Sequence, residues 1–496
     1  MTLKRKTTID IDKAEFKQIG YQLIDKISDF LGAIDDRPVT PGESSQELQK
    51  LLGDASLPEH GSPAKEIMGK ATDLLMNHSL LNGHPKFMGY ITSSPAPIGM
   101  LADLLAASVN PNVGAHILSP IATEIEKQTI KWLAEFIGVP GNYGGVLVSG
   151  GNMANFTAFL AARTAKGPKN LKEVGLVSAS KQMITYCSKT THTWVEKAAI
   201  LFGHGSKSIR WIPTDASNKM DNTLLEQAIK KDLLEGHQPF MVVGTAGDVS
   251  TGVVDNLKGI ASICKTHQLW FHIDGAYGIP AAVVPSLAPT FEGIREADSI
   301  ALDPHKWLYS PLEAGCTLVK NPKHLTDTYS SHPEYYNFSK NEGEQAQNFY
   351  EYGLQNSRGF RALKVWMALQ QVGKNGYATM INEDIELSTL FFAMAKKHEE
   401  LEAVTQNLSI TTLRYVPLDY GQPNEENETY LNVLNEALLD VLQQGGEVFL
   451  SNAIVHKKYC LRGCIVNFRT SKEDIGEIVA IIVREGRKVH QNLMKK

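Results

Sequence analysis

Cysteine is scarce in this chain. There are five in 496 residues, at Cys187, Cys264, Cys316, Cys460 and Cys464. No two form a CxxC pair and the count is odd, which argues against a disulfide framework and against a cysteine-rich metal site. Cys460 and Cys464 fall in the apolar run YCLRGCIVNF and read as strand residues, not metal ligands. A reducing cytoplasm is the compartment such usage fits. An excess of charge of one sign is also lacking. Lys and Arg total 49 against 54 Asp and Glu, a formal charge of -5 spread along the chain. No basic block offers a footing for nucleic acid or an anionic membrane. Long apolar runs are missing too. The longest, IGMLADLLAASV (98–109), is too short to span a bilayer and contains Asp103. The opening MTLKRKTTIDIDKAEF is basic but has no apolar stretch of a secretory signal. With 43% hydrophobic and 21% charged residues and no low-complexity tract, what is present is ordinary globular composition.

Residues 12–35 and 64–81 carry apolar side chains at helical spacing, and the Pro-, Gly- and Ser-rich stretch 36–63 between them reads as a linker. Residues 1–89 thus form an N-terminal helical segment whose amphipathic helices must cover the main body or a partner subunit. From 90 to 359, helices such as SPIATEIEKQTIKWLAEFIG and NMANFTAFLAARTAKG alternate with the short apolar runs MITYCS, FMVVGT, LWFHID, SIALD and CTLVK. Continuous apolar strands between helices predict an α/β fold with a mostly parallel sheet covered on both faces. From 360 to 496 a long helical stretch precedes strand-like ITTLRYVPL and CLRGCIVNFRT. A closing helix then opens on a Ser cap and an acidic first turn. This predicts a smaller C-terminal α+β domain.

Chemically capable residues stand just past three of the central runs. His192 follows MITYCS, Asp274 ends LWFHID, and Lys306 follows SIAL within DPHKW (303–307). Ligands of parallel α/β sheets bind beyond the carboxyl ends of the strands, so the three belong at one site. A lysine, a carboxylate and a flat imidazole match the needs of pyridoxal phosphate. Its aldehyde condenses with a lysine amine, its ring nitrogen is kept protonated by a buried carboxylate, and its ring face takes a stacked imidazole. Ala276, two residues past Asp274, is small enough for the opposite face. The phosphate needs backbone N–H groups at a helix start, which Ser149, Gly150, Gly151 and Asn152 supply directly before an apolar helix. Singly, Asp274 reads as well as a turn former and Lys306 as a surface charge. Their joint placement carries the reading.

On these stretches the chain resembles the pyridoxal-phosphate-dependent group II amino-acid decarboxylases. The matching residues are HPKFMGY (84–90), SPIATEIE (119–126), SGGNMAN (149–155), HTWVEKA (192–198), HIDGAYG (272–278), DPHKW (303–307) and LRGCIVNFRT (461–470). The resemblance implies a fold-type I, aminotransferase-like fold and a homodimer with its site at the subunit interface. It makes Lys306 the Schiff-base lysine, Asp274 the partner of the pyridine nitrogen and His192 the ring-stacking residue. It puts Gly151, Asn152, Ser299 and His305 at phosphate-contacting positions, and Tyr90 and Thr92 near the substrate. The polar loop 328–347 corresponds to a lid carrying a tyrosine, here Tyr335, that protonates Cα. Relatives with phenylalanine there form aldehydes, so Tyr335 implies an amine product. Two departures stand out. Asp248 and Val249 replace a threonine pair near the cofactor, and Asp248 faces either the site or outward. Gly114 and His116 replace larger aromatics, so Gly114 leaves room for a large ring. His116 either hydrogen-bonds substrate or is a core histidine. The expected activity is decarboxylation of an L-amino acid, aromatic in preference, to its amine and carbon dioxide. The alternatives are a glutamate- or histidine-type decarboxylase, an aldehyde synthase, or a pyridoxal-phosphate-binding protein without activity.

Overall fold

Two sheets organise the chain, whose computed structural model describes residues 9–331, 346–420 and 427–495. The larger contains β1 (Gly144–Val148), β2 (Met183–Ser188), β3 (Ile209–Ile212), β4 (Gln238–Thr245), β5 (Trp270–Asp274), β6 (Ser299–Leu302) and β7 (Gly315–Val319). Their spatial order is β1-β7-β6-β5-β4-β2-β3. The pairs from β6 through β5, β4 and β2 to β3 are parallel, and β7 alone runs antiparallel to its neighbours β6 and β1. Every residue of β2, β5, β6 and β7 is buried. That is the burial expected of strands covered on both faces, and it explains their unbroken apolar runs.

The helices before this sheet are α1 (Lys13–Gly32), α2 (Ser45–Leu52), α3 (Ala64–Asn77), α4 (Pro97–Val109) and α5 (Pro120–Phe136). Those between its strands are α6 (Gly151–Lys166), α7 (Leu171–Val174), α8 (Trp194–Leu201), α9 (Asn222–Leu234) and α10 (Leu257–His267), and α11 (Lys323–Tyr329) follows its last strand. The stretch 36–63, expected to be a plain linker, holds α2. Ser44 and Glu47 form a reciprocal capping box that starts a helix with no buried residue.

The smaller sheet is antiparallel throughout, in the order β10-β11-β9-β8, with β8 (Leu401–Asn407), β9 (Ile410–Tyr415), β10 (Ser451–Val455) and β11 (Lys458–Cys464). Its helices are α12 (Ala362–Lys397), α13 (Glu428–Gln444) and α14 (Lys472–Leu493). The helix α12 is interrupted at Gly373, where φ is +69°, a value glycine adopts without steric cost. Residues 86–88, far away in the chain, pair beside this sheet. Phe87 bridges Phe449, the Met88 N–H donates to the Phe449 carbonyl at 2.8 Å, and the Cys464 N–H donates to the Met88 carbonyl at 3.0 Å. All five cysteines are buried and free. Among the described residues no helix is long and apolar enough to cross a membrane.

Candidate active site

The site lies where several strands of the larger sheet end. Asp274 closes β5, flanked in register by Thr245 of β4 and Ala301 of β6. The chain leaving β6 turns at 303–306, the chain leaving β2 reaches His192 just before α8, and β1 runs through Ser149 and Gly150 into α6. These ends surround a cleft of about 520 Å³. It is lined by Lys306, Asp274, His192, Ala276, Ser149, Gly150, Gly151, Asn152, His305, Tyr90 and Thr92, among others.

The turn carrying Lys306 is held from several sides. The Asp303 N–H donates to the Ala276 carbonyl at 3.2 Å, and the Lys306 N–H closes the turn on the Asp303 carbonyl at 2.9 Å. The next residue, Trp307, is fully buried, stacks on Tyr277 with centroids 5.0 Å apart, and donates its indole N–H to Asp384 at 2.8 Å. The Tyr309 hydroxyl donates to the same oxygen at 2.6 Å. Asp384, on α12, is wholly enclosed, and burial pushes its carboxyl up to about 7. The Lys306 Nζ thus projects into the cleft from a fixed base and sits 3.1 Å from Asp303 Oδ2.

Asp274 is buried and accepts two hydrogen bonds, from the Trp194 indole N–H on Oδ2 at 2.7 Å and from the Ala276 backbone N–H on Oδ1 at 3.2 Å. Burial lowers the proton affinity of His192, partly offset by Asp274, which favours the neutral ring. The His192 Nδ1 accepts the backbone N–H of Trp194 at 3.3 Å. Beneath them, His272 is fully buried and held down to about 4 by desolvation, with its two nitrogens on Ser299 Oγ (2.8 Å) and Asn155 Oδ1 (2.7 Å).

The cleft has the features a pyridoxal phosphate requires. Among the described residues no side chain caps α6, so its leading N–H groups open toward the cleft with the positive end of a sixteen-residue helix behind them. A Cβ on Gly151 would lie 2.7 Å from Asp303 Oδ2 and 3.1 Å from the Ala276 Cβ, and one on Gly150 would lie 3.1 Å from His305 Cε1. The two glycines keep open a cradle that any other residue would fill. An amine, a carboxylate, an imidazole and this phosphate cradle occur together. Gly151→Ala is therefore expected to weaken cofactor binding about tenfold by crowding this cradle while the protein still folds. Titration of the cofactor-free protein with pyridoxal phosphate, followed by absorbance, checks it.

Two residues expected at the site are elsewhere, and one sequence reading is reversed. Ser299 opens β6, at the end remote from Lys306, and is fully buried. Its hydroxyl accepts the Trp270 indole N–H at 2.7 Å and is bonded to His272, so it braces the strand and does not reach the cleft. His116 does not line this chain's cleft. Its Nε2 stands 3.6 Å from Glu124, beside the exposed Ile117 and Leu118. Gly114 leaves no vacant room, because a Cβ there would lie 2.2 Å from the Asn356 carbonyl oxygen and is excluded by packing. Asp248 lines the cleft, but its carboxylate accepts the N–H groups of Ser250 (2.7 Å) and Thr251 (3.2 Å) and the Thr251 hydroxyl, closing its own turn. Tyr335 lies outside the described residues. Trp194, Asp303 and Asp384 were not anticipated. Asp303 stood in plain view inside DPHKW, whereas the partners of Trp194 and Asp384 lie 80 and 77 residues away in the chain.

The chain's residues 44–415 match the family model of the pyridoxal-dependent decarboxylase conserved domain. It is 33% identical over 472 residues to the aromatic-L-amino-acid decarboxylase of Bacillus atrophaeus, covering 95% of each chain. Its fold superposes on the Oryza sativa TDC crystallised with PLP and tryptamine with a TM-score of 0.90. That match spans 97% of this chain and 99% of the other at 24% identity. The Rhodiola rosea 4-hydroxyphenylacetaldehyde synthase superposes with a TM-score of 0.84 at 26% identity, over 97% and 99% of the two chains.

Proposed function

The chain belongs to the pyridoxal-dependent decarboxylase family, and from that premise we propose that it converts an aromatic L-amino acid to its amine and carbon dioxide. The observation that carries this reading is the convergence of Lys306, Asp274 and His192 on one cleft beside an uncapped helix start. Bound pyridoxal phosphate supplies an aldehyde for the substrate amine and a protonated ring that draws in the electron pair of the breaking Cα–carboxylate bond. Lys306 is the residue that would hold the cofactor through its amine. Asp274 would accept the ring N–H. His192 and Ala276 would flank the ring, and Gly151, Asn152 and His305 would hold the phosphate. Thr92 and Tyr90 contact the substrate. Residues 90–359 form the cofactor-binding domain and 360–496 the small domain.

The aromatic preference is supported by the relative named above and by the cleft wall. Among the described lining residues Lys306 is the single lysine or arginine, so an acidic side chain finds no second cation there. The nearby Arg462 is buried, with its guanidinium engaged by the carbonyls of Val249 and Tyr90. Tyr335 donates the proton to Cα. Tyr335→Phe is expected to cut amine formation about 10²- to 10⁴-fold. With dioxygen as the two-electron oxidant and water as co-reactant, it should instead release aldehyde, ammonia and hydrogen peroxide along with carbon dioxide. Quantifying the amine, aldehyde, ammonia and hydrogen peroxide decides between decarboxylase and aldehyde synthase.

The partner is a second copy of this chain. Phe16, Tyr21 and Ile24 of α1, Ile67, Met68 and Leu75 of α3, and Leu101, Leu104, Leu105 and Val109 of α4 are exposed apolar side chains. A lone soluble protein rarely leaves so much uncovered. The N-terminal segment 1–89 packs on that partner, and His116 reaches the partner's cleft. Sedimentation at micromolar concentration is expected to give a dimer. The cytoplasm is the compartment, in keeping with five unpaired cysteines. Release of labelled carbon dioxide from a panel of L-amino acids tests the whole reading. A protein that binds the cofactor yet releases none from any of them would overturn it.

A further inference from the structure

Trp194 is fully buried at the first position of α8 and touches the site at two points. Its indole N–H donates to Asp274 Oδ2 at 2.7 Å, and its backbone N–H donates to His192 Nδ1 at 3.3 Å. The indole also stands edge-on to the His272 ring, 84° between planes and 5.7 Å between centroids. One residue therefore holds both the carboxylate assigned to the ring nitrogen and the imidazole assigned to the ring face.

We propose that Trp194 is a positioning residue for the decarboxylation. It fixes Asp274 as the charged acceptor of the cofactor's ring N–H, and it sets the tilt of His192. The inference rests on the function proposed above. Asp274 must share its two oxygens between the protein and the ring nitrogen. The Ala276 N–H takes one side of Oδ1, and the indole N–H fixes Oδ2, so the carboxylate has a single orientation. A donor on a carboxylate also stabilises its negative charge, and that charge keeps the shared proton on the ring nitrogen. Without the indole N–H, the carboxylate is free to rotate and competes for the proton itself. The ring then draws electrons less strongly. The short spacing matters, because His192 and Trp194 are two residues apart at a helix start. The N–H that orients the imidazole belongs to the Trp194 backbone, and the buried indole anchors that stretch of backbone at the helix start.

The test uses full-length enzyme loaded with pyridoxal phosphate labelled with ¹⁵N at the ring nitrogen, read by solid-state NMR. The variants are Trp194→Phe and a site-specific replacement of Trp194 by 3-benzothienylalanine, which keeps the ring size and exchanges N–H for sulfur. In the unaltered enzyme the resonance is expected at the protonated position. In both variants it is expected to move toward the unprotonated position, with cofactor affinity falling about tenfold or more. If Trp194→Phe fails to fold, the isosteric replacement decides the matter. A ring-nitrogen resonance unchanged in the folded variant, with cofactor affinity within about twofold of the unaltered enzyme, would overturn the proposal. Failure of the unaltered enzyme to bind the cofactor covalently would sink the functional reading instead, and is seen before any variant is made.

Discussion

Lys306→Ala is expected to lower kcat by about 10⁴-fold or more and to leave the cofactor exchangeable by dialysis. The cleft offers no substitute, because Lys306 is the single lysine among its described lining residues. The change also strips Asp303 of its ion pair. That carboxylate is 1% exposed, and among the described residues its Oδ1 has no hydrogen-bond partner and Oδ2 would keep only His305 at 3.7 Å. Loss of activity could therefore be confused with loss of fold. Lys306→Arg separates the two, since a guanidinium keeps a positive charge beside Asp303 but stays protonated and forms no link to an aldehyde. The arginine variant is expected to melt within a few degrees of the unaltered protein and to be as inactive as the alanine variant. Borohydride reduction followed by mass spectrometry should find the cofactor on the Lys306 peptide alone. Normal multiple-turnover activity in either variant would remove Lys306 from its role.

Asp274→Asn is expected to reduce kcat by about 10²- to 10³-fold, the usual cost of removing one preorganised electrostatic partner. The substitution changes little in volume, and the amide oxygen can still accept the Trp194 N–H at the position Oδ2 holds now. What it removes is the negative charge opposite the ring nitrogen. The effect should fall on kcat far more than on KM for the amino acid, because the interaction strengthens as the Cα–carboxylate bond breaks. Steady-state kinetics with saturating cofactor measures both. A drop in apparent KM affinity with unchanged kcat would mean that Asp274 binds substrate and does not support the bond-breaking step.

The sheet was legible where burial made the sequence monotonous. MITYCS, WFHID and SIAL are strands buried on both faces, and the polar side chains within them, such as Thr185, His272 and Ser299, are buried too. The short IRWI of β3 and the glycine-led GGVLV of β1 carry weaker signals, and the antiparallel course of β7 depends on pairing partners far away in sequence. The helix α2 hid inside polar composition, although its Ser44–Glu47 capping box was present in the letters. At the site, Lys306, Asp274 and His192 could be read because each stands at or within a few residues past the carboxyl end of a strand. Ser299 misled because it begins its strand. In a parallel sheet a difference of three residues moves a side chain from one end to the other, about 10 Å away. Asp384 and Trp194 were beyond reach because their roles exist only through hydrogen bonds to residues 77 and 80 positions away in the chain.

The pairing of residue 87 with residue 449 bears on how the chain is made. A ribosome must add a further 362 residues, the difference between the two positions, before Phe87 and Met88 find their neighbours. At about 5–20 residues per second that is a wait of roughly 20–70 seconds. Through that interval two large apolar side chains, only 3% and 0% exposed in the finished protein, have no permanent cover. The segment 86–88 is thus covered only once Phe449 and the last strand of the small sheet, β11, have been made. Newborn chains should be most vulnerable to aggregation and most dependent on chaperones just before Phe449 emerges. Chains halted there should be degraded faster than chains halted past Cys464.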